Sequence, residues 1–95
     1  MRRENEMKLK VFTLPNCPKC PLAKQVAETV ARQRRDVTLE VIDLSDSDNM
    51  ISALMMQIAS TPSFAIEEVP IFLDHIPSFD ELNARIDKYK RGAGA

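Results

Sequence analysis

The sequence predicts an α/β domain in which a mixed four-stranded sheet carries helices on both faces, in the order β-α-β-α-β-β-α. Three observations predict it. Residues 8–14 and 37–44 are β-rich runs, helical apolar stripes lie between and after them, and two late apolar runs are separated only by Glu67-Glu68. A crossover helix makes the first two strands parallel, and the late pair forms an antiparallel hairpin. Ninety-five residues suffice for one core and are too few for two ordinary units.

Leu9, Val11, Phe12 and Leu14 make a first strand that stops at Pro15-Asn16, a turn signal. From there Leu22, Ala23, Val26, Ala27, Val30 and Ala31 recur at helical spacing, with Lys24, Gln25, Glu28 and Arg32 between them, so the first helix is amphipathic. Val37, Leu39 and Val41 alternate with Thr38 and Glu40 ahead of Ile42 and Leu44, giving a second strand bounded by the polar residues 43–48. Ser47, Asp48 or Asn49 is expected to cap a second helix with the stripe Met50, Ile51, Leu54, Met55 and Ile58, ended by Thr61-Pro62.

Residues 64–66 and 69–73 read as the hairpin, with Pro70 suited to an edge strand. Ser78-Phe79-Asp80-Glu81 has the form of a capping box, and Phe79, Leu82, Ile86 and Tyr89 continue it as a helical stripe. Residues 1–7 are expected to form a flexible leading segment, 8–90 the domain and 91–95 a flexible tail.

Hydrophobic residues at 44% and charged residues at 28% describe a soluble globular protein, not a disordered tail or a membrane protein. Thirteen basic and fourteen acidic residues leave a net charge of -1, which lacks the positive field that phosphate binding requires. Nucleic acid is therefore not an expected partner. The opening Met1-Arg2-Arg3-Glu4-Asn5-Glu6 carries both signs of charge with no apolar signal region or membrane-length run after it, so cytoplasmic residence is expected, without a membrane partner.

The chemistry sits in Cys17-Pro18-Lys19-Cys20. A bridge over so short a loop removes little unfolded-chain entropy, so reactivity explains the pair better than stability. Two thiols at this spacing meet if the segment coils into the first turn of a helix. Cys17 would then lie near the positive end of the helix dipole, which favours a thiolate, and is the candidate nucleophile. Pro18 suits a first helical position and Lys19 adds a nearby positive charge, so both support a lowered Cys17 pKa. Cys20, one turn inward, is the candidate resolving thiol. Pro21 has no N–H to close a first turn onto the Cys17 carbonyl, and the helix start is open between Cys17 and Cys20.

Strand, C-P-K-C, helix, strand, helix, Thr-Pro, hairpin and helix together resemble the thioredoxin-like superfamily over residues 8–89. Within that span, residues 15–23, Pro-Asn-Cys-Pro-Lys-Cys-Pro-Leu-Ala, are similar to the catalytic unit of archaeal protein disulfide oxidoreductases, whose motif often reads C-P-x-C-P-L-A. The resemblance implies disulfide exchange with protein partners. It also implies that Pro62 is a cis-proline facing the cysteines and that Thr61 offers its backbone to an extended substrate strand. Leu14 stands where glutaredoxins carry a basic residue, and Asp74-His75-Ile76-Pro77 where they carry Gly-Gly, which argues against glutathione. The thioredoxin tryptophan is absent, and Val11 occupies the register of its buried carboxylate. Proton transfer to Cys20 then requires another group or water.

His75 reads as an ordinary loop histidine, with a proton relay as the functional alternative. Met50 and Met55 read as core filler and Met56 as exposed. Arg32, Arg34 and Arg35 read as a solvated basic cluster at the end of the first helix. Glu67-Glu68 reads as the hairpin turn, with a bias on partner choice if it lies near the substrate edge.

The expected function is thiol-disulfide exchange through Cys17 and Cys20 with no bound cofactor and no metal. Its partners are disulfide-containing proteins and an external reductase, and a monomer is expected. One alternative is a metal-binding or metallochaperone module, whose fold hairpins the second strand directly to the third. The other is a non-catalytic redox sensor with the same fold.

Overall fold

The computed structural model describes residues 6–93. Seven elements follow in the expected order: β1 (Met7–Thr13), α1 (Cys20–Gln33), β2 (Val37–Asp43), α2 (Ser47–Met55), β3 (Ser63–Ile66), β4 (Val69–Phe72) and α3 (Phe79–Ala93). The sheet order is β2-β1-β3-β4, with β1 parallel to β2 and antiparallel to β3, and β4 antiparallel to β3 at the edge. β1 separates β2 from β3, so the strand pairing is not that of the metallochaperone alternative. Pro70 lies on the edge strand β4, where a missing ladder donor is tolerated.

Successive side chains of a strand point to opposite faces, and β1, covered on both, buries neighbours of each kind. Leu9 and Val11 face Ala23, Ala27 and Val30 of α1 and Leu82 and Ile86 of α3. Phe12 faces the other way and packs with Leu44, Ala53, Ile58 and Ala65 beneath α2. The capping box is formed in both directions: the Ser78 N–H donates to Glu81 Oε1 at 2.8 Å and the Glu81 N–H to Ser78 Oγ at 3.1 Å.

Several boundaries move. β1 starts at Met7, because its N–H donates to the Asp36 carbonyl at 2.7 Å and its side chain is buried. α3 runs on through Ala93, past the expected limit at 90. The rest of the expected terminal segments, residues 1–5 and 94–95, lies outside the described residues. α2 is capped by Asp46, one residue before the expected candidates, whose carboxylate accepts from the Asp48 and Asn49 N–H groups.

α2 also ends at Met55, well short of Thr61-Pro62. Gln57 takes a left-handed conformation with φ 63°, its N–H donates to the Leu54 carbonyl and the Ile58 N–H to that of Ala53. This is the Schellman arrangement, and it turns the chain back onto the sheet. Met50 packs against Phe12 and its neighbours as expected, but the other two methionines trade places: Met55 is 82% exposed and Met56 packs there instead. Ile51 and Leu54, expected on the inner stripe, are exposed as well, as is Leu22 of α1.

Candidate active site

β1 delivers the cysteines through two successive turns. The Cys17 N–H donates to the Leu14 carbonyl at 3.2 Å, closing the Pro15-Asn16 turn, and the Cys20 N–H donates to the Cys17 carbonyl at 3.3 Å. Pro21 has no N–H, so the first bond of the helical ladder is Ala23 N–H to the Lys19 carbonyl at 3.2 Å. Lys19 is the N-cap and α1 begins at Cys20. Of the two helix starts the sequence left open, the later one is realised. Cys17 therefore precedes the helix by a turn and sits farther from its dipole than an N-cap residue would.

Cys17 and Cys20 are joined as a disulfide with a Cα to Cα distance of 5.4 Å, within the usual range. Cys17 is half-buried and Cys20 is 3% exposed, so the first residue meets solvent and the second backs onto the core. Pro18 and Lys19 are exposed on the turn between them. Both cysteines line an open cleft of about 310 Å³. Its walls are Thr13, Leu14 and Pro15 at the exit of β1, Pro21 and Lys24 of α1, and Asp43 at the end of β2. Asp43 accepts the Ser45 N–H at 2.8 Å, which holds its carboxyl below the usual range.

Thr61 and Pro62 are not part of that wall. The pairing of Phe12 with Ser63 puts them just beyond β3, at the same end of the sheet but on the opposite flank of β1 from Asp43. The Thr61-Pro62 peptide bond is cis, Pro62 is buried and Thr61 half-buried. The Pro62 carbonyl accepts the His75 N–H at 3.2 Å. The buried Ser63 hydroxyl donates to the Ser60 carbonyl at 2.7 Å and accepts from the Asp74 N–H at 3.2 Å, clipping this loop to the chain leaving the hairpin.

A profile of the thioredoxin domain family matches residues 7–87. A probable thioredoxin of Archaeoglobus fulgidus is 30% identical over 84 residues, covering 88% of this chain and 90% of that protein. The chain belongs to the thioredoxin domain family. A Methanocaldococcus jannaschii thioredoxin is 36% identical over 62 residues, 65% of this chain and 72% of its own length. Among solved structures, a mutant thioredoxin from Halobacterium salinarum superposes with a TM-score of 0.73 at 21% identity, covering 92% of this chain and 77% of its own, which bears on the fold alone.

As a member of this thioredoxin family the protein is a thiol-disulfide oxidoreductase. Among the described residues no group of three or more His, Cys, Asp or Glu is placed to hold a metal ion, and no helix is long and apolar enough to cross a membrane.

His75 does not line the cysteine cleft. Its ring lies 5.5 Å from that of Phe72, tilted, and its Nε2 is 3.9 Å from Glu81 Oε1. The Glu67-Glu68 turn is also remote, because Glu67 meets Lys8 at the start of β1 while the cysteines follow its end. Thr13, Lys24 and Asp43 are the cleft residues that sequence reasoning passed over. Lys24 had a readable signal, its place four residues after Cys20 on one helix face, while Asp43 arrives through the register that pairs it with Thr13.

Proposed function

We propose that this oxidoreductase reduces protein disulfides, with Cys17 as the attacking and Cys20 as the resolving thiol. The observation that carries the reading is the difference in exposure, since an incoming disulfide reaches the half-buried Cys17 and not Cys20. The Cys17 thiolate attacks one substrate sulfur, the substrate S–S bond breaks, and its second sulfur leaves as a thiolate that takes a proton from water. The Cys20 thiolate then attacks Cys17 Sγ and expels the first substrate sulfur. Two electrons pass from the dithiol to the substrate.

The reading includes a substrate edge at Thr61 and Pro62, no resident cofactor, an external reductase, a monomer and a cytoplasmic setting. It is supported by the exposed end of the sheet at which both the cysteines and the Thr61-Pro62 loop emerge. The test is trapping with a disulfide-bonded protein such as insulin, read by mass spectrometry. Cys20→Ser is expected to accumulate a mixed disulfide at Cys17, and Cys17→Ser to give neither adduct nor turnover. Equal trapping through either cysteine overturns the assignment of roles.

A further inference from the structure

We infer that Lys24 supplies the positive charge that brings Cys20 to its thiolate form for the resolving step, an assignment that rests on the cysteine roles proposed above. Cys20 is buried, and burial opposes thiolate formation. The buried polar residues among those described are Thr13 and Ser63, neither of which ionises, so no buried charged side chain assists from the core side. Besides the N-terminus of α1, at which Cys20 stands, charge can reach it from the cleft that both cysteines line. The ionisable side chains in that wall, apart from the thiols, are Lys24 and Asp43.

Lys24 stands four residues after Cys20, on the same face of α1. Helical side chains lean towards the N-terminus, so that of Lys24 covers the turn holding Cys20. It is half-buried, and its ammonium makes no ion pair or hydrogen bond with any described residue. In contrast Lys8, Lys10 and Lys90 are each paired, with Glu40, Glu68 and Asp36. An unneutralised, partly desolvated cation in the wall of the cleft that both cysteines line is available to a developing thiolate.

The opposing charge is Asp43, reaching the cleft from β2, and the remaining one nearby is Lys19 at the exposed N-cap. α3 and β3 contribute nothing to this wall. Asp43 is exposed and already accepts the Ser45 N–H, so solvent screens it more than it screens Lys24. Lys24 therefore determines the sign. When a substrate sulfur is bonded to Cys17, the Cys20 proton leaves through the cleft to water and the thiolate is held by Lys24. Its electron pair forms the Cys17–Cys20 bond, the bond from Cys17 to substrate breaks, and the departing sulfur takes a proton from water.

The test is stopped-flow reduction of one equivalent of 5,5′-dithiobis(2-nitrobenzoate) by the reduced protein. The first thionitrobenzoate reports attack by Cys17 and the second, released in a unimolecular phase, reports resolution by Cys20. Lys24→Gln is expected to slow the second phase roughly threefold at pH 7 and to move its pH midpoint up by about half a unit, the effect of removing one partly solvated charge from the same cleft. Lys24→Arg restores the wild-type profile and Asp43→Asn moves the midpoint down. A second phase in Lys24→Gln with an unshifted midpoint overturns the inference while leaving the cysteine roles intact. A second release that persists in Cys20→Ser overturns those roles and the inference together.

Discussion

Arg34 and Asp36 face each other across the turn from α1 to β2 in a bidentate pair, Nε to Oδ1 and Nη2 to Oδ2, each at 3.0 Å. Arg34 also donates to Asn83 at 3.0 Å and Asp87 at 2.8 Å on α3, and Lys90 donates to Asp36 at 2.7 Å. The side chains of Arg34 and Asp36 are 16% and 18% exposed, so Arg34 leaves the expected solvated cluster for a partly buried network, while Arg32 and Arg35 are exposed as expected. It fastens the end of α1 and the start of β2 to α3, far from the cysteines.

The network makes stability depend on acid. The Arg34 guanidinium, with help from Lys90, holds the Asp36 carboxyl down at about 2 against an ordinary 3.8. A depressed carboxylate contributes its full stability above its unfolded value and loses it as pH falls from about 4 towards 2. Asp36→Asn is expected to cost on the order of 1–2 kcal/mol at pH 7, less than the whole shift implies because Lys90 is solvated and screened. The difference from wild type should shrink towards zero at pH 2. Urea unfolding of both proteins at the two pH values measures it, and a gap that is constant with pH refutes the linkage.

Ser63 is expected to matter beyond its size. Replacing it with Ala leaves the Ser60 carbonyl and the Asp74 N–H without their partner in a buried place, a change that typically costs about 1–3 kcal/mol. Because both bonds clip the Thr61-Pro62 loop, the loss should be local as well as global. Hydrogen exchange at the Asp74 and His75 amides should accelerate more in Ser63→Ala than exchange at Leu9 in the centre of β1. Uniform acceleration across all three would mean that the hydroxyl stabilises the domain without fixing the loop.

At the start of α3, Ser78→Ala removes one half of the capping box and should cost about 1 kcal/mol, seen as a fall of roughly 4–8 °C in Tm for a domain of this size. The Ser78 N–H, its hydroxyl and His75 hold the Glu81 carboxyl below its ordinary value, the N–H first among them. This end of the helix therefore weakens as pH falls through the carboxylate range. A Tm unchanged in Ser78→Ala would show that packing of Leu82 and Ile86 alone fixes the helix start.

The elements that were legible in the sequence carry their signal locally. Ser78 and Glu81 are a cap and its reciprocal partner three residues apart, and Cys17-Pro18-Lys19-Cys20 sits between a strand and a helix whose periodicities change in plain view. Where the reading failed, the deciding contact is distant or the usual marker is missing. A left-handed residue after a helix is normally glycine, and α2 uses Gln57 instead, so nothing announced the end at Met55 and the stripe was extended too far. Arg34 finds Asn83 and Asp87 about fifty residues away, which no window of sequence reports. The cleft escaped for the same reason, because Asp43 joins Cys20 and Lys24 only once β2 has paired with β1.

The asymmetry of the two thiols gives the most direct prediction. In the reduced protein, iodoacetamide should modify Cys17 at least about tenfold faster than Cys20, since alkylation needs an accessible thiolate and Cys20 is enclosed at the start of α1. Timed quenching followed by peptide mapping separates the two sites, with Leu22-containing fragments marking Cys20. The ratio should fall when the protein is unfolded in urea, because both sulfurs then meet solvent alike and only their sequence neighbours differ. Comparable rates in the folded state would mean that Cys20 is reachable from outside, and an incoming disulfide would then have no structural reason to choose Cys17.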